Sequence, residues 1–192
     1  MGKNVIALLL FPILACSFLG CAEVPTLGTG QKFVQALNPQ GDKMTLVYFY
    51  RRDGGFTKLF ANFPPIVVMK DSPGSKDKFP VAILGDKMYR PMLFEPGEVR
   101  FLVKGGGDET VVLKAGETRC IEAVPSMRGI VVIGVNEIPL DECLEVMKDL
   151  ELAATITELR RRNGLPPLMQ QGFRDLEPGP TPSSLSKDAE KK

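Results

Sequence analysis

The chain has 192 residues with 24 basic and 23 acidic side chains, and it contains neither histidine nor tryptophan. Without histidine it lacks the commonest general base, the commonest neutral metal ligand and any Ser/His or Cys/His nucleophile pair. A net charge near zero supplies no basic face for a phosphate backbone, so a nucleic-acid partner is not expected, and nineteen glycines and sixteen prolines between short apolar runs favour an all-β domain.

The first segment sets the location. Lys3 precedes an apolar run from Val5 to Ala15 that is too short to cross a bilayer but suits the hydrophobic core of a signal peptide. The run closes on Phe18-Leu19-Gly20-Cys21, which resembles the lipobox of bacterial lipoproteins. That resemblance makes residues 1–20 a cleaved signal and Cys21 the acylated N-terminus. Ile13-Leu14-Ala15-Cys16 fits the same pattern and keeps Cys16 as the alternative; an uncleaved anchor interrupted by Pro12 is a third reading. Several acyl chains hold a protein where one would not. Neither Ala22 nor Ser17 is the aspartate that retains enteric lipoproteins at the inner membrane, so the implied site is the outer membrane, facing the periplasm.

Residues 21–43 read as the lipidated N-terminus and a flexible tether, with a possible helical turn over Lys32–Leu37. The domain is expected to open at Met44–Arg51. Alternation there puts Leu46, Tyr48 and Tyr50 on one face and Val47 and Phe49 on the other, both apolar, which predicts a central strand. Arg51 and Arg52 beside Asp53-Gly54-Gly55 could contact an anion; a solvated strand end with an ion pair to Asp53 is the plainer reading. Pro65–Lys70 is the second strand, and Asp71–Lys78 a polar insert that projects as a loop. Val81–Leu84, a hairpin-type turn at Gly85-Asp86, and Lys87–Phe94 follow, the last with Met88, Arg90 and Met92 alternating with Tyr89 and Leu93. Glu95-Pro96-Gly97-Glu98 is a turn leading to Val99–Val103. The Gly105–Asp108 loop returns the chain to Thr110–Leu113 as an antiparallel pair; its glycines lack the lysine and helix of a phosphate loop. Lys114-Ala-Gly-Glu117 turns into Thr118–Val124, and Gly129–Val135 closes the series.

Seven or eight short strands with turn signals about every ten residues predict an antiparallel β-sandwich over 44–136. The order Val47-Tyr-Phe-Tyr-Arg51, Glu95-Pro-Gly97, Lys114-Ala-Gly-Glu117 and a closing apolar strand before an acidic helix resembles an uncharacterised family of small bacterial lipoproteins. The resemblance covers about residues 44–150 and implies one transthyretin-like or prealbumin-like sandwich with no assigned activity. The Asp71–Lys78 insert and the long C-terminus depart from that pattern.

Leu140, Cys143, Leu144, Met147 and Leu150 recur at helical spacing, with Asp141 and Glu142 in the first turn and Arg160–Arg162 before Gly164. One helix over 140–163, within a C-terminal unit 137–164, is expected to pack on the sandwich, its far half being the candidate surface for an envelope-protein partner. The arginines suit the helix dipole and could also touch anionic lipid. Residues 165–192 read as a disordered tail. With Cys21 acylated, Cys120 and Cys143 remain in an oxidising compartment and are expected to pair, stapling helix to sheet by on the order of 3 kcal/mol; two free thiols are the alternative. These readings predict a non-enzymatic binding or scaffolding module without cofactor or metal. The competing class is a carboxylate-dependent glycan-processing enzyme, for which Glu95 and Glu98 are available.

Overall fold

The computed structural model describes residues 26–36, 43–52, 65–71, 78–103, 106–128, 130–167 and 172–176, with the backbone alone over 125–128 and 130–133. Cys16, Cys21, Asp53 and residues 72–77 lie outside this set. Eleven strands occur among the described residues: β1 (Gly28–Lys32), β2 (Thr45–Arg51), β3 (Ile66–Asp71), β4 (Lys78–Leu84), β5 (Met88–Phe94), β6 (Gly97–Val103), β7 (Asp108–Leu113), β8 (Thr118–Arg128), β9 (Ile130–Ile138), β10 (Glu151–Ala153) and β11 (Phe173–Asp175). Two helices, α1 (Leu140–Met147) and α2 (Ile156–Arg162), flank β10.

The strands form two sheets. A seven-stranded sheet runs β1-β10-β5-β2-β8-β9, with β11 also on β5, and a four-stranded sheet runs β4-β3-β6-β7. The expected sandwich is present, with two corrections. The strands outnumber the seven or eight expected, and the larger sheet is mixed, because β2 runs parallel to β8 and β10 parallel to β5. The cause is that several connections change sheet. The turn at Gly85-Asp86 carries the chain from β4 in one sheet to β5 in the other, so it is not the hairpin its residues suggest. Lys114–Glu117 likewise crosses from β7 to β8 as a tight turn, closed by Glu117 N–H to Lys114 O at 3.2 Å with Gly116 at φ +80°.

β2 is the central strand its two apolar faces predict, every residue buried. Val47 and Phe49 face the smaller sheet and join Val68, Leu84, Phe94, Phe101, Val111 and Ile121 in the inner core. Leu46, Tyr48 and Tyr50 face the other way, into a second cluster with Tyr89, Cys120, Cys143 and Met147. The larger sheet is therefore buried on both faces, by the smaller sheet and by a layer of α1 and the N-terminal segment.

Three boundaries differ from expectation. β1 pairs with β10 and Ala36 is buried, so the domain includes residues assigned to a tether; Phe33–Ala36 is not helical. The single helix over 140–163 is broken by β10. Thr155 starts a new helix, its Oγ1 accepting from Glu158 N–H at 2.9 Å, and the Thr-x-x-Glu spacing is that of a capping box. Gly164 ends α2 as expected, through Gly164 N–H to Arg161 O and Leu165 N–H to Arg160 O, the paired bonds of a Schellman motif. The tail is not featureless, since Phe173–Asp175 forms β11 on β5.

Candidate functional site

Cys120 and Cys143 form a disulfide, Cα atoms 6.3 Å apart, joining the outer face of β8 to the first turn of α1. Tyr48 is the register partner of Cys120, so the bond lies on the tyrosine face. Around it the hydroxyls clip down the N-terminal segment: Ala36 N–H donates to Tyr48 Oη at 2.8 Å, and Val34 N–H to Tyr89 Oη at 3.3 Å. Phe33 meets both rings edge-on, centroids 6.1 Å and 5.1 Å away. Burial pushes the Tyr48 phenol up to about 12, partly opposed by its bond to Ala36.

Arg51 and Arg52 part company because neighbouring strand residues face opposite ways. Arg51 shares the parity of Val47 and Phe49 and is fully buried between the sheets, 2.5 Å from Asp86 and 3.4 Å from Leu84 O. Burial lowers its pKa against the pull of Asp86. Arg52 lies on the tyrosine face, 2.7 Å from both Glu122 and Glu142, and donates to Tyr50 Oη at 3.4 Å. These bonds raise its pKa, while burial raises that of Glu122. Each arginine thus meets protein carboxylates, and the two do not converge on one anion site. Arg52 joins β2, β8 and α1 beside the disulfide.

Glu95 is exposed on the β5–β6 turn and Glu98 is exposed at the start of β6. A groove beside Cys120 is lined by Glu117, Arg119, Glu137 and Leu140, and there Arg119 donates to Glu117 at 2.7 Å and to Glu137 at 2.8 Å. Of the arginines at the end of α2, Arg161 and Arg162 bond to Glu158 in the same helix, while Arg162 also reaches Thr26 O and Arg160 reaches Pro166 O. Among the described residues there is no cluster of three or more candidate metal ligands, and no helix long and apolar enough to cross a membrane.

Arg90, Lys70, Phe173 and Asp175 form a constellation that sequence reasoning did not single out as a site. Arg90 is 2% exposed, donates to Ala153 O at 3.1 Å and stands 3.5 Å from Asp175. Phe173 is buried and stacks on Phe94, centroids 5.8 Å apart at 26°, with Lys70 Nζ 5.8 Å from its ring centroid. Burial lowers the Lys70 pKa, and Glu95 opposes it. The available signal was parity, since Arg90 alternates with the same set as Met88 and Met92 and must point into the core. No protein-family model, curated protein or solved structure matches this chain.

Proposed function

We propose that the chain is a lipid-anchored protein of the bacterial envelope, held by Cys21 (Cys16 in the alternative) at the periplasmic face of the outer membrane, where it acts as a non-enzymatic binding or scaffolding module. The observation that carries this is the Cys120–Cys143 disulfide. Stable disulfides belong to oxidising compartments, which is where the signal-like N-terminus would deliver the chain. Phe33–Ala36, just after β1, and α1 cover one face of the larger sheet, so the anchor would lead into a stapled layer rather than through a long free tether. The ionisable groups support binding over catalysis, because Arg51, Arg52 and Arg119 are engaged with carboxylates that tie elements together. The first half of the expected helix, α1, packs through Cys143 and Met147, and the far half that was the candidate partner surface, α2, buries Ile156 and Leu159 as well, which moves the partner surface away from the helices.

The test is intact-mass analysis of the membrane-extracted protein, with and without reduction, for wild type, Cys21→Ala and Cys16→Ala. The expected mass begins at Cys21, carries acyl additions that Cys21→Ala abolishes, and gains one hydrogen per sulfur for a single pair on reduction. An unacylated or full-length mass overturns the lipoprotein reading.

A further inference from the structure

The edge of β5 that faces away from β2 is divided between two short strands. β10 runs parallel to it at Met88 and Tyr89, and β11 antiparallel at Met92, Leu93 and Phe94. Glu151 N–H donates to Lys87 O, and Glu95 N–H to Gly172 O. By alternation, Lys87, Tyr89, Pro91, Leu93 and Glu95 all turn their backbone groups to this edge. Pro91 stands at the division, where it has no N–H to offer a continuous strand.

The two occupants are held differently. β10 is built in, with β1 on its far side and a helix a few residues away at each end. β11 comes after the Schellman cap of α2 and the Pro166-Pro167 pair, and among the described residues it pairs with β5 alone. Its grip is side-chain specific. Phe173 fills the end of the inner core against Phe94 and beneath Lys70, Arg174 points outward, and Asp175 reaches Arg90. Gly172 sits at φ +69°, so the entry to the strand selects glycine by its backbone conformation, and the tips of Lys70 and Glu95 lie close over it.

We infer that the β5 edge from Met92 to Glu95 is a slot for an extended peptide of the pattern glycine, aromatic, any residue, acid, supplied by a partner protein, with residues 172–176 as its resident occupant. The inference rests on the binding-module reading and names the partner class for it. Main-chain bonds to β5 supply affinity and alternate side chains supply specificity, as in strand addition generally. Arg90, almost wholly buried, faces the acid of the ligand, and Lys70 lies over its aromatic ring. An occupant in the same chain competes at an effective concentration on the order of millimolar, so a partner gains entry where the resident strand is weakened or outmatched.

The experiment uses the full chain and a fluorescent peptide of residues 170–177, Gln-Gln-Gly-Phe-Arg-Asp-Leu-Glu. Phe173→Ala weakens the occupant and leaves the slot wall intact. The peptide is expected to bind this chain about 100-fold more tightly than wild type, as the loss of a buried phenylalanine implies. Replacing the peptide's aspartate by asparagine should weaken binding about tenfold. Equal affinity for the two chains, or no binding to a Phe173→Ala chain with a folded amide spectrum, overturns the slot. If Phe173→Ala does not fold, an Asp175→Asn chain serves, with an expected gain of about tenfold; no gain overturns the slot. Wild type sedimenting as a strand-exchanged dimer would make the occupant a second copy and overturn the partner assignment. Failure of the peptide leaves the mass-based anchor reading intact, and an unacylated mass leaves a positive peptide result standing.

Discussion

β2 faces two cores that solve the same packing problem in different ways. On its inner side Phe49 meets Phe101 and Phe94 with centroids 5.1 Å and 5.9 Å apart, and Phe94 meets Phe101 at 5.3 Å, a triangle of edge-on contacts closed by aliphatic neighbours. On its outer side stand Tyr48 and Tyr50, joined by Tyr89 from β5, and these are all three tyrosines of the chain. Each outer ring finds a partner for its hydroxyl, in Ala36, Arg52 or Val34. One oxygen per ring separates the layers. The inner core is filled mainly by apolar shape, with its buried Arg51 and Arg90 answered by Asp86 and Asp175, whereas the outer layer is a thin cover that needs a disulfide, hydroxyl clips and an arginine bridge to stay in place.

The comparison breaks most visibly at Phe101. Phe101→Ala removes one corner of the triangle and should cost about 3–5 kcal/mol, read as a lower denaturation midpoint with both sheets affected. Cys143→Ala should cost about 3 kcal/mol for a bond spanning 23 residues, and hydrogen exchange should show the loss in 140–150 and 33–36, with β2, β5 and β6 still protected. Uniform loss of protection would mean that the two layers unfold as one.

The outer layer should lose stability in alkali. The Tyr48 phenol titrates at about 12 in the fold against 10.0 unfolded, so the folded chain keeps a proton that the unfolded chain has already released. Stability present below pH 10 is therefore lost as the pH rises from 10 towards 12, by about 2–3 kcal/mol in all. Tyr48→Phe should flatten that slope, while costing about 1–3 kcal/mol at neutral pH for the unanswered amide of Ala36. An unchanged alkaline slope in Tyr48→Phe would assign the transition to other groups.

The inner core was the more legible of the two. Alternation in β2 and the turn chemistry at Lys114–Glu117 are local signals, and they place Val47, Phe49 and the β7–β8 turn correctly, though not the change of sheet that the turn makes. The disulfide was also readable, because Cys120 and Cys143 fall on elements that must meet. The outer layer and the β5 edge were not. β10 and β11 have three residues each, too few for a period, and β10 interrupts what spacing reads as one helix. The local clue to that break was the Thr155-x-x-Glu158 cap. β1 looks like linker because its Gly-Thr-Gly run carries no apolar face; its place comes from β10, more than a hundred residues away. Arg51 reads as a solvated end by residue type and as a core position by parity, and parity prevails because Asp86 meets it there. A buried arginine is legible in sequence only once its partner is known.

The smallest effect sharpens the comparison from the other side. Arg52 bridges Glu122, whose side chain is 12% exposed, and Glu142, whose side chain is 52% exposed, at the same 2.7 Å. Equal distances do not imply equal worth, since solvent screens the outer pair and little reaches the inner one. Glu142→Gln should cost less than about 1 kcal/mol and fade with added salt. Glu122 behaves differently, because burial raises its pKa above the 4.5 of the unfolded chain. The folded state then holds the extra proton, so this group's contribution to stability declines as the pH rises from 4.5 through its raised value. Glu122→Gln removes that decline, and the slope of stability between pH 4.5 and neutrality should turn more positive than in wild type. If Glu142→Gln proves the costlier of the two at neutral pH, α1 is held by its exposed ion pair more than by the disulfide beside it, and the outer layer is less of a stapled cover than its geometry implies.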